Sequence, residues 1–177
     1  MVTASHSGAQ GNSGAPIVEL KGDVWTVANQ NNTTVELSQV TRTQSVQVCE
    51  CNDVKLVIPE KIVTLSLVSC NKVEVKMHSC ISGMELTSCH GVMIRVSNSL
   101  PSAAIDKCQQ VGFWITSANA ETIMFTSCKS GDMNVNINRN TSGNADEDDW
   151  IERPIPEHFE HRFNAKLQLE SKPSMLY

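Results

Sequence analysis

Cys51, Cys70, Cys89 and Cys108 follow one another at intervals of 19 residues, and Cys128 comes 20 residues later. A fixed period near 20 residues is the mark of a chain built from stacked repeats, and it restricts the fold more than any other feature here. The flanking residues share the period. Val46 and Val48, Leu65 and Leu67, Met84 and Leu86, Ala103 and Ile105, then Ile123 and Phe125 precede the cysteines by five and three positions. Val54, Leu56 and Ile58 follow the first cysteine by three, five and seven positions. Val73, Val75 and Met77 do so in the second repeat, Val92, Ile94 and Val96 in the third, and Val111, Phe113 and Ile115 in the fourth. The last repeat has Gly131, Met133 and Val135 in these places. Spacing of two puts each run on one face of a strand, and no stripe of period 3.6 competes with it.

No single coil of this size can bury its own inward face, so the core exists only when coils stack. The expected fold is therefore all-β, a parallel β-helix of about six coils rising by roughly 4.8 Å each. Val and Ile total 29 against ten Leu, which agrees with strands. Val24–Val27 and Val35–Leu37 read as a first, less regular coil, and Pro59 and Pro101 fall just after strand runs.

The repeat also interprets the cysteines. Seven of them, an odd number, in a chain whose start lacks the basic and apolar stretches of a secretory leader, argue against a disulfide framework. There is no CxxC pair, and stacking sets successive sulfurs too far apart to share a zinc ion, so no metal and no cofactor are expected. The cysteine column reads as small side chains buried in the core. Cys80, off the column, is the expected exposed thiol.

Outside the repeat the chain divides further. Residues 1–16 read as a disordered lead, 17–137 as the β-helix, 138–150 as an acidic connector, and 151–177 as a hairpin and tail that do not fit the coil period. Residues 146–160 hold seven acids and one Arg, whereas the remainder holds twelve acids and thirteen bases. The acidity is local and the body near neutral, which gives no support to nucleic-acid binding. No apolar run reaches the ~18 residues needed to span a bilayer.

Catalytic signatures are missing: there is no HExxH, no GxSxG and no phosphate-cradling Gly loop. The chain reads as a non-enzyme. The outward strand positions instead hold Lys55, Lys72, Lys76, Arg95 and Trp114, a basic and partly aromatic face of the kind enriched at protein interfaces.

Three further segments carry a resemblance. Val18-Glu-Leu-Lys-Gly-Asp-Val-Trp-Thr-Val-Ala-Asn-Gln30, Ser130-Gly-Asp-Met-Asn-Val135 and Pro154-Ile-Pro-Glu-His-Phe159, in that order around the coil array, resemble the C-terminal domain of the cyclase-associated proteins. The resemblance implies a right-handed parallel β-helix with a C-terminal β-hairpin exchanged between two chains. It implies a homodimer formed through Trp150, Ile151, Pro154, Ile155, Pro156, Phe159, Phe163, Leu167 and Leu169. It implies a cytoplasmic, cytoskeleton-associated protein that binds monomeric ADP-actin and promotes exchange of ADP for ATP. Met175, Leu176 and Tyr177 would add to the actin contact of the Lys55–Trp114 face. Two alternatives stay open. One is a GTPase-activating β-helix like tubulin cofactor C, for which Arg95 is the candidate arginine, although Cys108 is followed by Gln-Gln where that group has Gln-Cys-Arg. The other is a purely structural dimerisation scaffold.

Overall fold

The computed structural model describes residues 14–140 and 148–174. Two parallel faces run up the stack. One is formed by β3 (Asn31–Glu36), the first parts of β5 (Asn52–Val68) and β6 (Asn71–Thr87), β7 (His90–Ser99), β9 (Gln109–Thr116) and β11 (Gly131–Asn138). The other takes β2 (Val24–Ala28), β4 (Ser45–Cys49), the second parts of β5 and β6, β8 (Ser102–Asp106) and β10 (Met124–Cys128). The solenoid has about six coils, and the segments Val24–Val27 and Val35–Leu37 enter its first one. Each end is closed on one face by an antiparallel strand. β1 (Ile17–Lys21) pairs with β2, and β12 (Trp150–Pro154) pairs with β11. β13 (Phe159–Phe163) and β14 (Leu169–Pro173) form a separate two-stranded sheet.

The inward runs are the core. Leu56, Ile58, Val73, Val75, Val92, Ile94 and Phe113 are fully buried, as the alternating pattern requires. Pro59 does not end a strand: β5 and β6 each run 17 residues around a bend, and the register shifts between Ile58 and Lys61 absorb it.

The cysteine corner has a conformational explanation that spacing alone did not supply. In every coil the anchor residue and its successor sit between two left-handed residues: Asn29 and Asn32 about the first anchor, Gln30, then Glu50 and Asp53, Ser69 and Lys72, Ser88 and Gly91, Lys107 and Gln110, Lys129 and Asp132. Such conformations are costly for residues with a Cβ. Interstrand bonds carried straight round the corner offset the strain, among them Asn71 N–H to Cys51 O at 2.9 Å and Ser69 N–H to Thr87 O at 3.0 Å. The anchor side chain then donates to the carbonyl two residues back: Cys51 to Cys49, Cys70 to Val68, Cys89 to Thr87, Cys108 to Asp106. Each thiol is therefore a corner donor as well as a small buried group.

This corrects the last repeat. The sixth anchor is Ser130, whose hydroxyl donates to Cys128 O at 2.9 Å and accepts from Cys108 N–H at 3.0 Å. Cys128 falls in register with Asp106 and is exposed. The displacement comes from a four-residue helix, α1 (Ser117–Ala120), inserted in the final corner. Its Asn119, 3% exposed, exchanges two hydrogen bonds with the Leu100 backbone and so stitches the longer corner to the coil above. With Ser130 as anchor, Met133, Val135 and Ile137 align with Val111, Phe113 and Ile115, and the repeat is regular. Cys80 is also corrected. It is 2% exposed and donates to Gly83 O at 2.9 Å, so the exposed thiol is Cys128.

Candidate functional site

Lys76, Arg95 and Trp114 occupy one row. In-register pairing aligns Val57, Lys76, Arg95, Trp114 and Asn136 across five successive coils, and Asn136 with Glu152 of β12. Because the strand positions on either side of this row point inward, its side chains all stand outward on the same face. Lys55 lies in the adjacent outward row with Glu74, Met93 and Gly112. Lys72 is separate: it is one of the left-handed corner residues, in register with Gly91 rather than on the flat of the sheet.

The row is tied together. The Arg95 guanidinium lies 4.5 Å from the centre of the Trp114 ring, a cation–π distance. Its Nε donates to Glu74 Oε1 at 3.1 Å, and Lys76 Nζ lies 3.9 Å from the same oxygen. Glu74 is only 16% exposed on its side chain, so the acid is set beneath two cations and orients them. Trp114 lies back over Gly112: a Cβ built at Gly112 would stand 2.6 Å from the indole. Sequence reasoning missed Gly112, although a lone Gly within a strand pattern is the signal for such close approach.

A groove of about 500 Å³ opens along one side of this row, between Val57, Pro59, Met77, Arg95, Trp114 and Trp150. A second groove of about 430 Å³ lies on the other side of Trp114, among Met93, Asp132, Asn134 and Glu152. The indole thus separates a groove bordered by Lys76 and Arg95 from one bordered by Asp132 and Glu152. Trp150, expected in the dimerisation segment, borders the first groove and donates its indole N–H to Asp148 at 3.1 Å.

The remaining tail residues divide by environment. Ile151 pairs with Ile137 and Pro154 with Asn134, and Ile155 packs on the core while its N–H donates to Met133 O at 2.8 Å. Pro156 borders a smaller apolar cleft at the same end, with Ile123 and Phe125. Phe159, Phe163, Leu167 and Leu169 are 48%, 70%, 82% and 60% exposed on the hairpin. Met175, Leu176 and Tyr177 lie outside the described residues, as do Asp146 and Glu147 of the acidic stretch. Among the described residues no group of three or more His, Cys, Asp or Glu could hold a metal ion, and no helix is long and apolar enough to cross a membrane.

A six-coil solenoid with an aromatic and basic outer row and a separate apolar hairpin defines a β-solenoid domain. The family described as "Adenylate cyclase associated (CAP) C terminal" matches residues 14–176. The chain belongs to that family. It is 28% identical over 158 residues to the adenylyl cyclase-associated protein of Schizosaccharomyces pombe, covering 89% of this chain and 27% of the relative. It therefore spans about a quarter of that relative's length. The crystal structure of the cyclase-associated protein from Cryptosporidium parvum superimposes with a TM-score of 0.82 at 26% identity, covering 92% of this chain and 98% of that one.

Proposed function

We propose that this domain binds monomeric ADP-actin through the Lys76–Arg95–Trp114 row and promotes exchange of ADP for ATP as a homodimer. Family membership supports an actin-related role in general. The observation that carries the site is the Glu74–Arg95–Trp114 stack beside the apolar groove, because Trp and Arg held in fixed orientation are the usual anchors of an interface. The domain does no covalent chemistry. It binds better to an actin conformation from which nucleotide escapes more readily, and so shifts actin's population toward that state.

Dimerisation follows from the hairpin. An isolated two-stranded sheet is marginal in water, and this one leaves Phe159, Phe163 and Leu169 uncovered within its own chain. Two copies joined there would present two rows to two actin monomers. The GTPase-activating alternative needs a projecting arginine, whereas Arg95 is held by Glu74 and stacked on Trp114, which favours the binding role.

The test is the release rate of a fluorescent nucleotide from ADP-actin with and without the protein. Acceleration is expected, with Arg95→Ala and Trp114→Ala each weakening actin binding by about 1–3 kcal/mol, the range of hot-spot truncations. Gly112→Ala, which displaces the indole without removing it, should give a smaller loss and a shifted Trp fluorescence spectrum. Unchanged release at saturating protein overturns the proposal.

A further inference from the structure

Two cations and two indoles meet on one side of the outer row, and their chemistry defines what part of a partner they can hold. Lys76 and Arg95 share the single acid Glu74, so the set keeps one positive charge. Glu74 occupies only Nε of Arg95, at 3.1 Å, which leaves both terminal nitrogens of the guanidinium to donate elsewhere. Their direction is fixed, because the guanidinium also lies 4.5 Å from the centre of the Trp114 ring. A guanidinium oriented in this way is a fork for an oxyanion. Lys76 is held more loosely: it lies 3.9 Å from Glu74 with its side chain 59% exposed, and can turn to the same anion.

The groove beside these cations supplies an apolar half. Val57, Pro59 and Met77 line it, and the indoles of Trp114 and Trp150 border it. Trp150 is 41% exposed, and its indole N–H is tied to Asp148 at 3.1 Å, so a large apolar ring is presented to the groove with its polar edge already satisfied. Among the described residues, no Asp or Glu lines this groove, whereas Asp132 and Glu152 line the one across Trp114. An acidic ligand is therefore drawn to the Trp150 side of the row and repelled from the other.

Charge decides the class of ligand. A phosphate monoester carries roughly −1.5 to −2, more than one uncompensated cation offsets. Anionic membranes are read by clusters of roughly four to eight basic residues, and this groove offers Lys76 and Arg95. A single carboxylate matches the charge. Because Arg95 touches Trp114, the carboxylate and the apolar group beside it must be close neighbours in the ligand. We propose that the groove between Trp114 and Trp150 seats an acidic and apolar segment of the actin monomer, with one carboxylate on Arg95 and Lys76 and a large apolar side chain against the indoles. This rests on the reading of the row as an actin-binding face and assigns the contact to one of its two grooves.

The experiment measures binding of ADP-actin monomers to the full chain by sedimentation velocity at low and at high salt. Lys76→Glu and Trp150→Ala should each weaken binding by about tenfold or more, as loss of an interface anchor does. Lys76→Glu should also flatten the salt dependence. Asp132→Asn with Glu152→Gln should leave binding within about twofold of the native value. Carbodiimide coupling followed by peptide mapping should join Lys76 to an Asp or Glu of actin that has a large apolar residue beside it. Should Trp150→Ala fail to fold, Lys76→Glu decides, since that side chain lies on the surface. Native binding by Lys76→Glu, with Asp132 or Glu152 coupled to an actin lysine, places the partner in the other groove; it overturns this proposal and leaves the actin reading standing. Co-sedimentation of the native chain with phosphatidylserine vesicles, lost in Arg95→Gln, overturns it in favour of a lipid surface. Absence of any association between the native chain and actin overturns the actin reading itself, and this proposal with it.

Discussion

The solenoid and the C-terminal hairpin are built from the same kind of strand, yet they treat apolar side chains in opposite ways. Leu67, Leu86, Ile94 and Phe113 are fully buried, whereas Phe163 and Leu169 are 70% and 60% exposed. The solenoid closes its core by stacking coil on coil, and each parallel pairing buries side chains between two coils of one chain. The hairpin has no third strand and no second layer among the described residues, and its apolar face is uncovered by them. The difference separates a region that buries its own apolar face from one that leaves that face exposed among the described residues.

The largest expected effect breaks the solenoid. Phe113 sits fully buried and packs edge-to-face on Phe125, with ring centres 5.0 Å apart. Phe113→Ala should cost about 3–5 kcal/mol in chemical denaturation, since the strands on either side cannot collapse into the cavity. A loss below about 1 kcal/mol would mean that the coils are far looser than their burial implies. The hairpin should respond in the other sense. Phe163→Asp with Leu169→Asp should leave the solenoid's unfolding midpoint within about 0.5 kcal/mol of its original value, as surface changes do. The same pair should convert a dimer to a monomer by sedimentation. A dimer that survives both changes places the interface elsewhere.

The smallest effect sharpens the comparison by pH. Glu160 on β13 accepts hydrogen bonds from Lys172 and Arg162, which lower its carboxyl below the usual value of 4.5. A group held down in the folded state contributes stability above its unfolded pKa and loses it as pH falls through the folded one. The hairpin should therefore loosen below about pH 4.5 while the solenoid core stays closed. Amide exchange of residues 159–173 against 52–58 reads this directly. With side chains 35–65% exposed, the triad should have a slight effect, and Glu160→Gln should remove the difference.

Much of the solenoid was legible in the sequence because a repeat states the same packing problem several times. One Val or Leu in a strand run is ambiguous, but five runs in phase are not. The outer row was legible for the same reason: Lys76, Arg95 and Trp114 share a coil position, so a common period placed them side by side. What the period could not show was the arrangement within the row. Whether Arg95 projects freely or stacks depends on Glu74 and Gly112, each unremarkable in sequence. The period also misled where the chain departs from it. Cys128 keeps almost the right spacing but sits two residues before the true anchor, because α1 lengthened the corner by local hydrogen bonds that a spacing rule does not register. Cys80 lay off the column and so read as exposed, while a bend in β6 turns it inward.

The sequence alone therefore determined that this chain stacks coils, which side chains face inward, and which outward residues share a row. Those properties depend on strand alternation and repetition, which are written into residue order. Only the tertiary structure decided that the cysteines are corner donors, that Trp114 divides two grooves, and that Trp150 joins the basic one. These depend on distances between residues about 20 or more positions apart. Such distances are set by the rise of the coil and the dihedral angles of its corners, and no local pattern encodes them.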